Sequence, residues 1–205
     1  MGRAATPSLS DAFSAGIDAR RWVALGDPPP RVGDVGGGAR GLFPNGDLQW
    51  ESGVLGRDPV LSQPGLAAQA RIYAPFGQRA MQPATLEFSL VVPPDLSTMD
   101  RTAPRLTPVV SVIWDGESGR VTFAVNGESS SLAADAFAAG ASHLFAFRID
   151  AAGHVRFAVD GGVRWQSTTR VSIDGTSRVQ LWIGGRGTDG HIAVSDVHVG
   201  RADTP

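Results

Sequence analysis

Two sets of side chains in this sequence have the types and spacing to do chemistry. Asp196 and His198 stand two apart near the C-terminus, and His191 opens the same run. In a strand, residues two apart project from one side, and two or three such ligands can hold a zinc or manganese ion. No third ligand stands at metal-site spacing, so the preferred reading has no metal: Asp196 bonds to a loop or an arginine and the histidines lie near a solvated edge. The second set is aromatic and polar. In Val179 to Ile183 the residues Val179, Leu181 and Ile183 form the apolar side, which turns Gln180 and Trp182 the other way. Gln69, Arg71 and Tyr73 leave their own run in the same manner, and Glu87 sits between Leu86 and Phe88. Sugar rings stack on such aromatic faces through their C–H surfaces. If the strands that carry them share one sheet, Trp182, Gln180, Tyr73, Arg71, Gln69 and Glu87 line one groove suited to a glycan. The competing reading buries Trp182 under a loop, residues 27 to 42, because tryptophan is mostly buried. Trp22, Trp50 and Trp114 read as core or hairpin packing.

Composition removes other chemistries. The 205 residues include no cysteine, so disulfides, thiolate zinc sites and cysteine nucleophiles are excluded. All 18 basic residues are arginine, which excludes a Schiff-base lysine and a P-loop lysine and fits the codon bias of a GC-rich bacterial genome. No Gly-x-Ser-x-Gly elbow is present. Gly36-Gly37-Gly38 has no strand before it and no helix after it, so it reads as a flexible loop and not a phosphate cradle. A net charge of -2 gives no reason to expect nucleic acid.

The elements that must position these side chains are strands. Leu66 to Tyr73 and Thr85 to Val92 alternate apolar and polar residues, the pattern of half-buried strands. Pro93-Pro94 stops the second, since neither proline can donate to a ladder. Further strand runs are Val109 to Trp114, Arg120 to Val125, Leu144 to Ile149, His154 to Val159, Val179 to Ile183 and His191 to Val199. Asp115-Gly116, Asn126-Gly127, Asp160-Gly161, Asp174-Gly175 and Asp189-Gly190 punctuate them as tight turns. VTFAVNG at 121–127 returns as VRFAVDG at 155–161, which predicts the same hairpin used twice in one antiparallel sheet system. Leu132 to Ala139, with Ser131 as cap and Gly140 as stop, is the one helical candidate, two turns at most and a connection between strands.

The segment HLFAFRIDAAGHVRFAVDGGVRW, followed by RVQLWIGGRGTDGHIAVSDVHVG, resembles the C-terminal half of a concanavalin A-like or laminin G-like jelly roll. Phe13, Gly16, Ile17, Asp18 and Trp22 resemble the opening strand of that fold, and Phe43 to Ser52 the hairpin after it. The resemblance implies an all-β fold, a two-sheet antiparallel sandwich. Sandwich lectins of this kind often hold calcium, so an ion bound by turn carbonyls and aspartates such as Asp174 or Asp189 stays open. Family 16 glycoside hydrolases resemble the same fold and carry Glu-x-Asp-x-Glu on one strand. The best-placed strand here keeps Glu87 but has Ser89 and Val91 where the other carboxylates would stand, and one carboxylate cannot fill both roles of a retaining mechanism. Of the other glutamates, Glu51, Glu117 and Glu128, all fall in loop-like or turn-proximal segments.

These readings predict a flexible arm over residues 1–10, one sandwich over 11–200 and a tail over 201–205, acting by binding and without catalysis. Two kinds of partner are in view. One is a larger protein assembly, membrane-associated or not, onto which the domain docks as an accessory subunit through its surface and its N-terminal arm. The other is a glycan, read by an aromatic and polar face. No run of eighteen apolar residues is present, so membrane association would come through a partner. MGRAATPSLSDAF has no apolar h-region, which taken literally means a cytoplasmic protein or an export signal outside the sequence.

Overall fold

The structure is a computed structural model and describes residues 8–46, 51–76, 83–138, 140–187 and 192–201. Its strands, in chain order, are β1 (Leu9–Asp11), β2 (Trp22–Leu25), β3 (Arg31–Gly36), β4 (Ala39–Phe43), β5 (Ser52–Gly56), β6 (Val60–Leu61), β7 (Leu66–Tyr73) and β8 (Thr85–Val91). The second half contributes β9 (Pro108–Asp115), β10 (Arg120–Val125), β11 (Glu128–Leu132), β12 (Ser142–Ile149), β13 (His154–Val159), β14 (Gly162–Arg170), β15 (Arg178–Arg186) and β16 (Ala193–Arg201). They form two antiparallel eight-stranded sheets. The first runs β14-β13-β12-β7-β16-β4-β3 with β1 on β16, and the second runs β11-β10-β9-β8-β15-β5-β2 with β6 on β15.

Alternation sets which side of each strand is inside. In β7, Leu66, Ala68, Ala70 and Ile72 are buried while Ala67, Gln69, Arg71 and Tyr73 are only partly covered. Facing residues of the two sheets close the core, with Phe88 of the second sheet 5.3 Å from Phe147 of the first and Phe123 5.1 Å from Phe157. Such ring pairs contribute about 0.5–1.5 kcal/mol each beyond the area they bury.

The repeated heptapeptide is a repeated hairpin, but one copy lies in each sheet. Asn126-Gly127 joins β10 to β11 and Asp160-Gly161 joins β13 to β14, all four residues at positive φ (45°, 90°, 51° and 80°). The two phenylalanines of the repeat are the Phe123 and Phe157 that meet across the core. The free edges of the sheets are joined at the same end. Glu128 on β11 accepts from the Thr168 and Thr169 backbone amides and from the Thr168 hydroxyl on β14. Those bonds hold its carboxylate down to a pKa of about 2, with the Thr168 amide as the largest cause.

Several expectations are corrected. The helical candidate, expected to be two turns at most, is a single 3-10 turn over Ala134–Ala136 with no side-chain cap, because β11 extends through Ser131 and Leu132; Ala139 lies outside the described residues. Of the arm expected over residues 1–10, Leu9 and Ser10 instead pair with Val199 and His198 of β16, and Trp22 Nε1 donates to Asp11 Oδ2 at 2.7 Å; residues 1–7 lie outside the described residues. Gly36-Gly37-Gly38 forms the tight β3–β4 hairpin turn at positive φ, which leaves residues 27–42 committed to the first sheet and to its approach.

Candidate functional site

The six residues expected to line one groove stand on opposite outer faces of the sandwich. Gln69, Arg71 and Tyr73 belong to β7 in the first sheet, while Glu87, Gln180 and Trp182 belong to β8 and β15 in the second. The β7–β8 connection crosses from one layer to the other, so neighbours in sequence do not share a face. On the first sheet Arg71 Nε donates to Asp196 Oδ2 at 3.1 Å, and the Ser195 hydroxyl lies 3.5 Å from the Tyr73 hydroxyl. Asp196 thus pairs with an arginine, from a bulge at which its own φ is 50°. Among the described residues no three acidic or histidine side chains converge to hold a metal ion; His191, Asp189 and Trp50 lie outside them. Asp174 turns its Oδ1 to the amides of Thr176 and Ser177, both at 2.8 Å, and so organises its own loop.

The outer face of the second sheet is divided in two. Over one half, Val23, Leu25, Leu55, Val91 and Trp182 form a second buried apolar cluster, closed from outside by Leu96, Met99 and Leu106. The cover is the β8–β9 connection, residues 92–107, and not residues 27–42. Asp95 and Asp100 stiffen it by accepting from the amides of Ser97 and Thr102, and Gly26 N donates to Arg101 O at 2.7 Å to tie it to the end of β2. Trp182 is therefore fully buried. Gln180 is buried too, its Nε2 donating to Gly56 O at 2.7 Å, where it fixes the end of β5.

The other half carries the polar groups. In register across β9, β8, β15 and β5 lie Ile113, Glu87, Gly184 and Gly53, and in the next row Asp115, Thr85 and Arg186. Arg186 Nε comes within 3.9 Å of Glu51 Oε1. Pro83, Ala84, Thr85, Asp115, Glu117 and Arg186 bound a cleft of about 250 Å³. Two glycines shape this half. A Cβ on Gly53 would stand 2.0 Å from Ile183 O, and one on Gly184 would stand 2.0 Å from the Trp182 ring. The indole consequently lies over Gly184, the residue paired with Glu87.

That surrounding sets the electrostatics. Burial raises the Glu87 pKa to about 7; Ser89 and Arg186 work against the rise and Glu51 adds to it. Glu51 is raised as well, by burial, with Arg186 opposing. Among the described residues Glu87 Oε1, Ser89 Oγ and Trp182 Nε1 have no exposed surface and no hydrogen-bond partner. Glu87 lies on the non-core side of its strand, as its alternation predicts, but not in one groove with Gln69, Arg71 and Tyr73; Arg186 was not singled out from the sequence, and Glu51 only as a loop-like glutamate. Extending the alternation Gln180, Trp182, Gly184 by one step reaches Arg186, and the same rule carried back from Leu55 and Gly53 reaches Glu51.

No family model and no curated protein sequence matches the chain. Its fold is matched by solved structures. The globular domain of T. cruzi calreticulin superposes with a TM-score of 0.62 at 11% identity, over 95% of this chain and 88% of that one. The carbohydrate recognition domain of Emp47p gives 0.61 at 11% identity, over 99% and 100%, and Bacillus licheniformis β-glucanase gives 0.51 at 13% identity, over 95% and 98%. The chain has the concanavalin A-like jelly-roll fold.

Proposed function

We propose that this chain binds carbohydrate, without hydrolysing it, at the open half of the outer face of the second sheet. One observation carries the reading: Glu87, whose Oε1 is buried and without a partner among the described residues, stands one register row from Thr85, Asp115 and Arg186, which bound the open cleft on that face and form a polar set with it. Buried polar atoms are nearly always paired, and sugar hydroxyls, which donate and accept at once, suit such a set. At pH 7 Glu87 is close to half protonated, so it can give as well as take a hydrogen bond. That one similar structure is a carbohydrate recognition domain supports the class of ligand. Docking as an accessory subunit drew in part on a free arm over residues 1–10, of which Leu9 and Ser10 are engaged with β16.

A second reading has a specific observation behind it. Glu51 and Glu87 interact, and a carboxyl held near 7 beside a second carboxylate is the acid–base arrangement of glycoside cleavage. Against it, Ser89 and Val91 occupy the strand positions of the further carboxylates, and Glu51 is drawn to Arg186. A glycan array and a polysaccharide hydrolysis panel, run with the wild type, Glu87→Gln and Arg186→Ala, separate the two. Binding is expected on the array and lost in both variants, with no sugar released. Silence of the wild type on every glycan overturns the proposal. Sugar release by the wild type that Glu87→Gln abolishes establishes the hydrolase instead.

A further inference from the structure

The outer face of the first sheet, on the far side of the sandwich from Glu87, carries a groove of about 580 Å³ with an alanine floor. Ala67, Ala146 and Ala158 supply the floor from β7, β12 and β13, with Ala146 directly opposite Ala158. In the next row Arg148 stands directly opposite Arg156. Like charges in that relation destabilise a sheet, and here the fold compensates them only in part, through the charge of Asp150 acting on Arg156. Farther along the same face Arg71 is neutralised by Asp196 at 3.1 Å, whereas Arg148 has no hydrogen bond or ion pair among the described residues. Arg156 donates from Nε to Gln166 Oε1 at 3.1 Å, which fixes its direction and leaves its terminal nitrogens free. The nearby carboxylate, Asp150, has its Oδ1 taken by the amides of Ala152 and His154. Arg201 and His198 add further donors along the groove, and no acidic residue lines it.

The rim adds an apolar contact. Phe157 pairs with Trp165 but Ala158 pairs with Val163, so one step on β13 spans two on β14. This bulge turns Trp165 inward against Phe157, at 5.2 Å between ring centroids, and Val163 outward. Val163 is the most exposed large hydrophobic side chain described, at 66%. A flat methyl floor, an exposed valine and two opposed guanidinium forks match a ligand with an apolar ring face and regularly placed anionic groups. Guanidinium forks bind carboxylate and sulfate in paired hydrogen bonds.

We infer that this groove is a second carbohydrate site, specific for an acidic polysaccharide, carboxylated or sulfated, whose charge offsets the Arg148–Arg156 repulsion. The site is independent of the one around Glu87. Retention of the full chain on immobilised polygalacturonate and dextran sulfate, with uncharged dextran and poly-glutamate as comparisons, tests it. The wild type is expected to bind one or both acidic polysaccharides, to release as salt rises, and to pass through dextran. Arg148→Gln and Arg156→Gln should each weaken binding roughly tenfold, the value of one charge-assisted hydrogen bond, while Arg120→Gln, the same charge change on the other sheet, changes it less than twofold. Relief of the repulsion should leave the thermal midpoint of Arg148→Gln equal to or above that of the wild type. No retention on either acidic polysaccharide, equal weakening by Arg120→Gln, or equal retention on poly-glutamate overturns the inference. A fall in the Arg148→Gln midpoint would mark the arginine as structural and overturn it as well.

Discussion

Replacing Glu87 by glutamine should stabilise the protein at pH 8 and leave it nearly unchanged at pH 5. The carboxyl has an ordinary value of 4.5 in the unfolded chain and about 7 in the fold. Between those values the native state holds a proton that the unfolded state has lost, so stability falls as pH rises from about 4.5 and levels off above about 7. One pH unit of difference is worth about 1.4 kcal/mol, which makes the whole penalty about 3 kcal/mol. Glutamine has the same shape and no charge, so it escapes the penalty. Any constant offset from the amide is present at both pH values, and the difference between the two proteins must still grow with pH. Glu51, raised by burial in the same direction, leaves a smaller slope in the variant. For a chain of this size the gain at pH 8 amounts to roughly 6–12 °C in Tm. Urea unfolding of both proteins at pH 5, 6, 7 and 8 reads it out. Parallel stability–pH curves would refute the claim that burial raises this carboxyl.

Trp182→Ala should cost roughly 3–5 kcal/mol in urea unfolding, as full burial of a large aromatic dictates, whereas an exposed sugar platform would lose binding and keep its stability. Gly184→Ala tests the same packing from the other side: its methyl would meet the indole ring at 2.0 Å, and the midpoint should fall by roughly 1–3 kcal/mol. Glu128→Gln should flatten the acid limb of stability. The folded pKa of about 2 lies below the ordinary 4.5, so the wild type keeps this contribution above pH 4.5 and loses it as pH falls toward 2; circular dichroism between pH 6 and 2 should show the variant insensitive to that loss.

The strands with clean alternation were legible because one of their faces meets the core and the other meets water. β7, β10, β12 and β13 all alternate in this way, and all stand in the sequence as period-two runs. The turns were legible for a local reason, since positive φ at Asn126, Asp160 and their glycines needs no knowledge of the fold. What the sequence concealed was which runs share a sheet. Glu87 and Tyr73 are fourteen positions apart and lie in different layers, because pairing is decided by β12 and β16 on one side and β9 and β15 on the other. β14 escaped notice because Gly162–Arg170 is an edge strand of mostly polar residues. The burial of Trp182 was written in the sequence in one respect: β15 reads as a continuous apolar stretch, Leu181-Trp182-Ile183-Gly184-Gly185, the pattern of a strand covered on both faces. The identity of the cover required the fold, since nothing local in Leu96, Met99 and Leu106 says where that loop folds back.

The cover also bears on function. A hydrolase that cuts within a polysaccharide needs a cleft running across the sheet, so that sugar units can lie on both sides of the carboxylates. Here residues 92–107 occupy one side of that path, fastened by the Gly26–Arg101 bond and by Leu96, Met99 and Leu106 on the second apolar cluster. Opening it would expose Trp182, Leu55 and Val91 at once, and at about 1.5–3 kcal/mol per side chain returned to water the open state would be vanishingly populated. Among the described residues, the cleft next to the Glu87 row lies on the side of Arg186 and Asp115. The cleft formed there by the described residues, about 250 Å³, is smaller than the ~300–1,000 Å³ of sites for drug-sized ligands. On the proposed reading, such a cleft suits a chain end or a short branch.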